Sequence, residues 1–162
     1  KQEGEQMAKY GFLSVLEEEL EQHFDYDFAM DWDKRNHAVE VAFALEAQNI
    51  AAVETVDDQG ESSDQDVLFE DYVIFYNPQK STFAPEDYLV AIPYQPKKGL
   101  SREFLAYFAQ TLNEVVTEGL SDLMDFLTDD SIQEFSLHWD KEAFENGRAE
   151  LEETELYGYP RY

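Results

Sequence analysis

Cysteine is absent from the 162 residues, and basic side chains are scarce, with 11 Lys and Arg against 37 Asp and Glu. The first absence excludes a disulfide framework, thiolate zinc sites and a cysteine nucleophile, and it suits a reducing compartment. The second leaves a formal net charge of −26. Affinity for nucleic acids comes largely from Lys and Arg displacing phosphate counterions, so direct binding of DNA or RNA is not expected. Anionic membrane surfaces are disfavoured on the same ground, and no apolar run approaches the ~20 residues of a spanning helix. A basic stretch followed by an apolar core is also missing, so no secretory signal is read and a cytoplasmic location is expected. The chain carries no G-x-S-x-G, phosphate loop, dinucleotide fingerprint or kinase motif. No catalytic residue and no cofactor is therefore assigned, and an enzyme is not the favoured expectation.

What is present is apolar and aromatic. Hydrophobic residues make up 43% of the chain and aromatic residues 15%. Acidic disordered chains are poor in rings, so this composition indicates a packed globule, and the length suits a single domain. Residues 1–6, KQEGEQ, are polar and precede Met7, where the apolar pattern begins. Glu3-Gly4-Glu5 can be written GAA-GGA-GAA, which contains a purine-rich ribosome-binding sequence just before a Met7 start. We read 1–6 as a non-native or translated-leader extension and 7–162 as the domain.

Phe12, Leu13, Leu16, Leu20 and Phe24 recur at helical spacing with glutamates between them, which predicts an amphipathic helix over Ala8–His23. The stretch DYDFAMDWDKRNHAVEVAFALE then changes period. Tyr26, Phe28, Met30 and Trp32 alternate with Asp25, Asp27, Ala29, Asp31 and Asp33, and Val39, Val41, Phe43 and Leu45 alternate with Ala38, Glu40, Ala42, Ala44 and Glu46. A period of two on both sides of Asp33-Lys34-Arg35-Asn36 predicts a β-hairpin with one dry and one wet face. Pairing Trp32 with His37 would set Met30 against Val39, Phe28 against Val41 and Tyr26 against Phe43. The acids would then oppose alanines, Asp31 with Ala38, Asp27 with Ala42, Asp25 with Ala44 and Glu40 with Ala29, so that no acid faces another.

Further strands are expected over Ile50–Val56, Val67–Tyr76, Tyr88–Tyr94 and Ile132–Trp139, with an acidic loop at 57–66. Val67–Tyr76 is apolar on both faces apart from Glu70-Asp71, which suits a central strand or one with a bulge, and Pro93 pushes Tyr88–Tyr94 to an edge or marks its end. Ser101 is a plausible cap for a long helix from Arg102 to Leu127, bent or closely packed at Gly119, and a last helix is expected over Lys141–Glu153. The fold class that follows is α+β: a single antiparallel sheet of five to six strands, with the N-terminal helix and the long helix on one face.

The segments MAKYGFLSVLEEEL and FDYDFAMDWDKRNHAVEVAFALEAQN resemble an uncharacterised domain-of-unknown-function family of small acidic proteins from Firmicutes. The resemblance runs from Met7 almost to the C-terminus. It implies a bacterial cytosolic protein and brings no catalytic or binding motif with it.

The plainest reading of the acids is that they keep the protein soluble and form the solvated back of the hairpin; beside it stand three readings that give them a site. A metal site is disfavoured, because alternate residues on a flat strand sit about 6.5–7 Å apart and the acidic loop lacks the D-x-[DN]-x-[DN]-G calcium pattern. His23, His37 and His138 form no H-x-x-x-H pair, and no metal ligand is assigned. A hydrolase-type or metal-dependent enzyme using paired carboxylates is the alternative reading. The preferred one is a non-catalytic module whose acidic sheet face, Asp25, Asp27, Asp31, Asp33 and Glu40, meets a basic protein. Oligomeric state is not readable from these patterns.

Overall fold

The computed structural model describes residues 10–47, 55–56, 62–63, 67–128 and 137–160. Helix α1, Phe12–His23, ends where the Phe24 N–H closes on the Leu20 carbonyl at 2.8 Å. The period then changes from 3.6 to 2, and the chain runs into β1, Phe28–Asp33, and β2, Ala38–Ala47. Short strands β3, Thr55–Val56, and β4, Ser62–Ser63, pair with each other. β5, Val67–Tyr76, is followed by a connection at 77–89 that contains a 3₁₀ turn at Pro85–Asp87, and then by β6, Val90–Pro93. β7, Leu100–Ser101, leads straight into the long helix α2, Arg102–Thr128. Helix α3, Lys141–Ala149, and β8, Leu156–Tyr157, complete the described chain.

The main sheet has four strands in the order β1-β2-β5-β6, and β7 pairs with β8 in a separate ribbon. This corrects the single antiparallel sheet of five to six strands. β1, β2 and β5 are antiparallel neighbours, but β6 lies parallel to β5, with Val73 beside Val90 and Phe75 beside Ile92. A parallel return needs a crossover of about a dozen residues, and 77–89 supplies one without a full α-helix. The strand expected at Ile50–Val56 is described only at 55–56, where it belongs to the β3-β4 pair. Of the strand expected at Ile132–Trp139, residues 132–136 lie outside the described residues, and 137–139 have no regular structure. Residues 1–9, including Met7, and most of 57–66 also lie outside them.

One face of the sheet is dry. Val39, Val41, Phe43 and Leu45 of β2 and Val73 and Phe75 of β5 are buried beneath Phe12, Leu16 and Leu20 of α1 and Phe104, Phe108, Leu112 and Val116 of α2. The Phe75 ring meets Phe12 at 6.4 Å and Phe108 at 5.1 Å, so the two helices share one aromatic contact on the sheet. Ser101 is the cap its position predicts: its Oγ accepts from the Phe104 N–H at 2.9 Å and donates to Glu153 Oε1 at 2.8 Å. Asp140 caps α3 through the Ala143 N–H. Gly119 is buried where a Cβ would strike the Leu137 side chain, so close packing, with α2 continuous through it, is the reason for that glycine.

The hairpin register differs from expectation by two residues. Observed partners are Phe28 with Phe43, Met30 with Val41, Trp32 with Val39, and Asp33 with Ala38. A shift of two leaves every side chain on its expected face, so hydrophobic patterning cannot distinguish the two registers and the turn decides. The loop is 34–37, with His37 at φ 53° and the Asn36 N–H donating to Asp33 Oδ1 at 3.2 Å. Its position is fixed from outside, because Thr82 exchanges two hydrogen bonds with the Asn36 side-chain amide, while Tyr94 and Ser81 both donate to the His37 carbonyl. As a consequence Asp31 stands directly opposite Glu40, and the expectation that no acid faces another is wrong.

The C-terminal segment straps the layers together. The Phe12 N–H donates to the Gly158 carbonyl at 2.9 Å, the Arg102 N–H donates to the Glu155 carbonyl at 2.8 Å, and Tyr159 stacks on Tyr94 with ring centroids 5.1 Å apart. The Trp32 indole donates to the Tyr159 hydroxyl at 2.8 Å, which ties β1 to the strap. Gly11 and Gly99 have φ of 57° and 69°, and a Cβ on either would run into the strap backbone. Gly99→Ala therefore combines left-handed strain with a backbone collision; it is expected to lose about 2–3 kcal/mol in urea unfolding. A loss below about 0.5 kcal/mol would show that the strap adapts freely.

Candidate functional site

The face of the sheet away from the helices carries the candidate site. Strand parity places Ala29, Asp31 and Asp33 of β1, Ala38, Glu40, Ala42, Ala44 and Glu46 of β2, and Leu68, Glu70, Tyr72, Ile74 and Tyr76 of β5 on it. The connection 77–89 folds over one half of this face. Phe83 packs on Tyr76 with centroids 4.8 Å apart, and the Tyr88 hydroxyl donates to Glu40 Oε1 at 2.8 Å. Ile74 and Ala38 are fully buried beneath it despite facing away from the core. The other half stays open: Ala29 and Glu46 are exposed, Ala42 and Ala44 half-buried, Leu68 is 59% exposed and Tyr72 39%.

The five acids read from the sequence do not form one group. Asp27 and Asp31 are exposed, and the Asp27 carbonyl accepts from the Ala44 N–H at 3.3 Å, which sets Asp27 beside the alanines. Asp33 serves the turn. Glu40 shares its row with Asp31, and the Tyr88 hydroxyl offsets that repulsion by donating to its carboxylate. Burial pushes the Tyr88 hydroxyl pKa up, and the bond to Glu40 pushes it further, so Tyr88 remains a donor. Asp25 leaves the row at a bend, where its N–H donates to Asn113 Oδ1 at 2.9 Å and its carboxylate accepts from Asn113 Nδ2 at 3.3 Å. Tyr26 turns the same way, and its hydroxyl shares a hydrogen bond with Thr117 on α2.

Glu46, Glu70, Leu68 and Tyr72 join Asp27 and Asp31 on the open half, and sequence reasoning missed them as a site. Glu46 already stood in the wet row of β2, but β5 is apolar on both faces apart from Glu70-Asp71, and its pairing with β2 could not be read from either strand alone. Across the ladder Glu46 faces Leu68, Ala44 faces Glu70 and Ala42 faces Tyr72. Acids thus flank an alanine floor on both outer sides.

Two further acidic clusters are structural. Arg102 gathers Glu19 at 2.6 Å, Glu18 at 3.0 Å and Glu155 at 2.6 Å, joining α1, α2 and the strap. Burial opposes the Arg102 charge, but the hydrogen bonds it donates to Glu155 and Glu18 more than restore it. Glu103 is partly desolvated, yet N–H groups of Glu155 and Thr154 donate to it and hold its pKa below the usual carboxylate range. Asp71 differs again: it lies on the helix side, opposite Phe43, and burial raises its pKa against the lowering effect of the Tyr72 N–H. Among the described residues no group of three His, Asp or Glu side chains is arranged to hold a metal ion, and no helix is long and apolar enough to cross a membrane.

The fold and site together define an α+β protein with a helix layer on one sheet face and a half-open acidic face on the other. The chain belongs to the DUF3013 family, described as a protein of unknown function, whose model matches residues 7–161. It is also similar to a solved structure of a conserved protein of unknown function from Enterococcus faecalis, with 43% identity over 94% of this chain and 97% of that one and a TM-score of 0.83. No curated protein matches. The family and this relative agree with the Firmicute resemblance of the sequence.

Two substitutions probe the charged groups. Glu19 is only 5% exposed, and Arg102→Met leaves its carboxylate with His23 alone, at 3.4 Å, so the variant is expected to lose about 3 kcal/mol in urea unfolding, low for a broken buried pair because Arg102 is partly hydrated and His23 remains. Asp71→Asn acts oppositely. A carboxyl with a raised folded pKa loses stability as pH rises through that pKa, so the variant should match the wild type in thermal melts near pH 3 and exceed it at pH 7. Equal melting at both values would remove desolvation as a cost at this site.

Proposed function

We propose that this protein is a non-catalytic, cytoplasmic binding module that presents the open half of its sheet face to a basic protein. The carrying observation is that exposed Leu68 and Tyr72 stand amid Asp27, Asp31, Glu46 and Glu70 on an otherwise alanine floor. Exposed apolar side chains within a ring of like charge give an interface both contact area and steering: the carboxylates speed encounter with a cationic surface, and the ring and Leu68 give it something to bury. The charge of −26 opposes nucleic acid and favours a cationic protein. The paired-carboxylate enzyme has one directly opposed pair in its favour, Asp31 and Glu40, and Tyr88 already engages Glu40.

Immobilised wild-type protein should retain a basic protein from a bacterial lysate at moderate salt. Retention should fall about tenfold, equivalent to about 1.4 kcal/mol, in the variant D27N/D31N/E46Q/E70Q. A control that removes four acids from the exposed helix surfaces, E17Q/E21Q/E114Q/E118Q, should retain it almost unchanged. Equal losses in both variants would reduce the effect to net charge and reject the face as the binding surface.

A further inference from the structure

We infer that the occupant of the open half-face is a basic amphipathic α-helix of a partner protein, an inference that rests on the binding reading above. The sheet is covered on one side by α1 and α2, and on the other, among the described residues, as far as the row of Asp31, Glu40 and Ile74, where Tyr88 closes the surface. Beyond that row the central strand offers Ala42 and Ala44, and Ala29 continues the floor on β1. None of these three side chains extends past Cβ, so a helix can approach the backbone closely between Glu40 and Glu46, which bound the floor at its two ends on β2.

The width matches one helix. Three strands separated by about 4.8 Å span roughly 10 Å, and a helix with its side chains is about 10–12 Å across. A helix lying along β2 would have Asp27 and Asp31 on one flank, and Glu70, Tyr72 and Leu68 on the other. Asp27 and Asp31 are four residues apart on an extended strand, about 13 Å, close to the two-turn separation of about 11 Å between basic residues at i and i+7. Apolar residues on the same helix face would reach the alanine floor and the exposed Tyr72 and Leu68. A second copy of this chain is a poor occupant, because two molecules each carrying −26 repel.

The test uses a labelled synthetic peptide of about five turns, with leucines on one face and lysines at i and i+7 on both flanks, and a scrambled peptide of identical composition. Wild-type protein should bind the amphipathic peptide at least tenfold more tightly than the scramble, with a gain in peptide helicity by circular dichroism. Ala44→Trp fills the floor and Tyr72→Ala shortens a wall that is already exposed; each should bring the amphipathic peptide down towards the scramble. The charge variant D27N/D31N/E70Q should weaken both peptides. If the two peptides bind alike, and neither Ala44→Trp nor Tyr72→Ala changes the amphipathic one, the helix is the wrong occupant, while loss in the charge variant would keep the basic-partner reading. Unchanged binding in the charge variant as well would overturn both.

Discussion

The alternation of β2 is the constraint on which the rest depends. Val39, Val41, Phe43 and Leu45 must be dried together, because a period of two sends them all to one face, and only a helix layer of sufficient width can cover them. α1 and α2 form that layer, and Phe75 on the neighbouring strand receives a ring from each. The opposite face of β2 is small by the same alternation. Ala42 and Ala44 leave it shallow, and this is where the only described cover, the 77–89 connection, stops short.

The second organising element is the polar seam along the C-terminal strap. Arg102 stands at the start of α2 and binds acids from α1 and from the strap, while Ser101 caps α2 and reaches Glu153. Tyr159 extends the seam to the hairpin through Trp32 and Tyr94. Several of the 37 acids thus have structural partners: Glu18, Glu19 and Glu155 bind Arg102, Glu153 binds Arg148, and Glu103 accepts from backbone N–H groups of the strap. Counting acids in the sequence overstates the acidity available to a partner.

Local patterns were legible where one segment decides its own structure. The apolar spacing of α1 and α2, the cap at Ser101 and the existence of the hairpin all follow from residues near one another in the chain. What the chain alone did not disclose depends on distant partners. The hairpin register is held by Thr82, Ser81 and Tyr94, which grip Asn36 and His37 from 44 residues away or more. The parallel direction of β6 depends on the route of the connection, and the pairing of Leu100-Ser101 with Leu156-Tyr157 joins the two ends of the C-terminal half. The acidic row was read correctly as facing away from the core, but its membership changed for the same reason: Asn113 draws Asp25 to α2, Tyr88 takes Glu40, and β5 contributes Glu70, Tyr72 and Leu68.

Cross-strand pairing thus builds a surface in which acids border an alanine floor and two exposed apolar side chains. The direct measurement is backbone amide mapping by NMR as unlabelled basic peptide is added to isotopically labelled protein. Shifts confined to Asp27–Asp31, Ala42–Glu46 and Leu68–Tyr72 are predicted, with the exposed glutamates of α1 and α2 unmoved. Shifts spread evenly over the acidic surface, or centred on the helices, would contradict a dedicated sheet-face site.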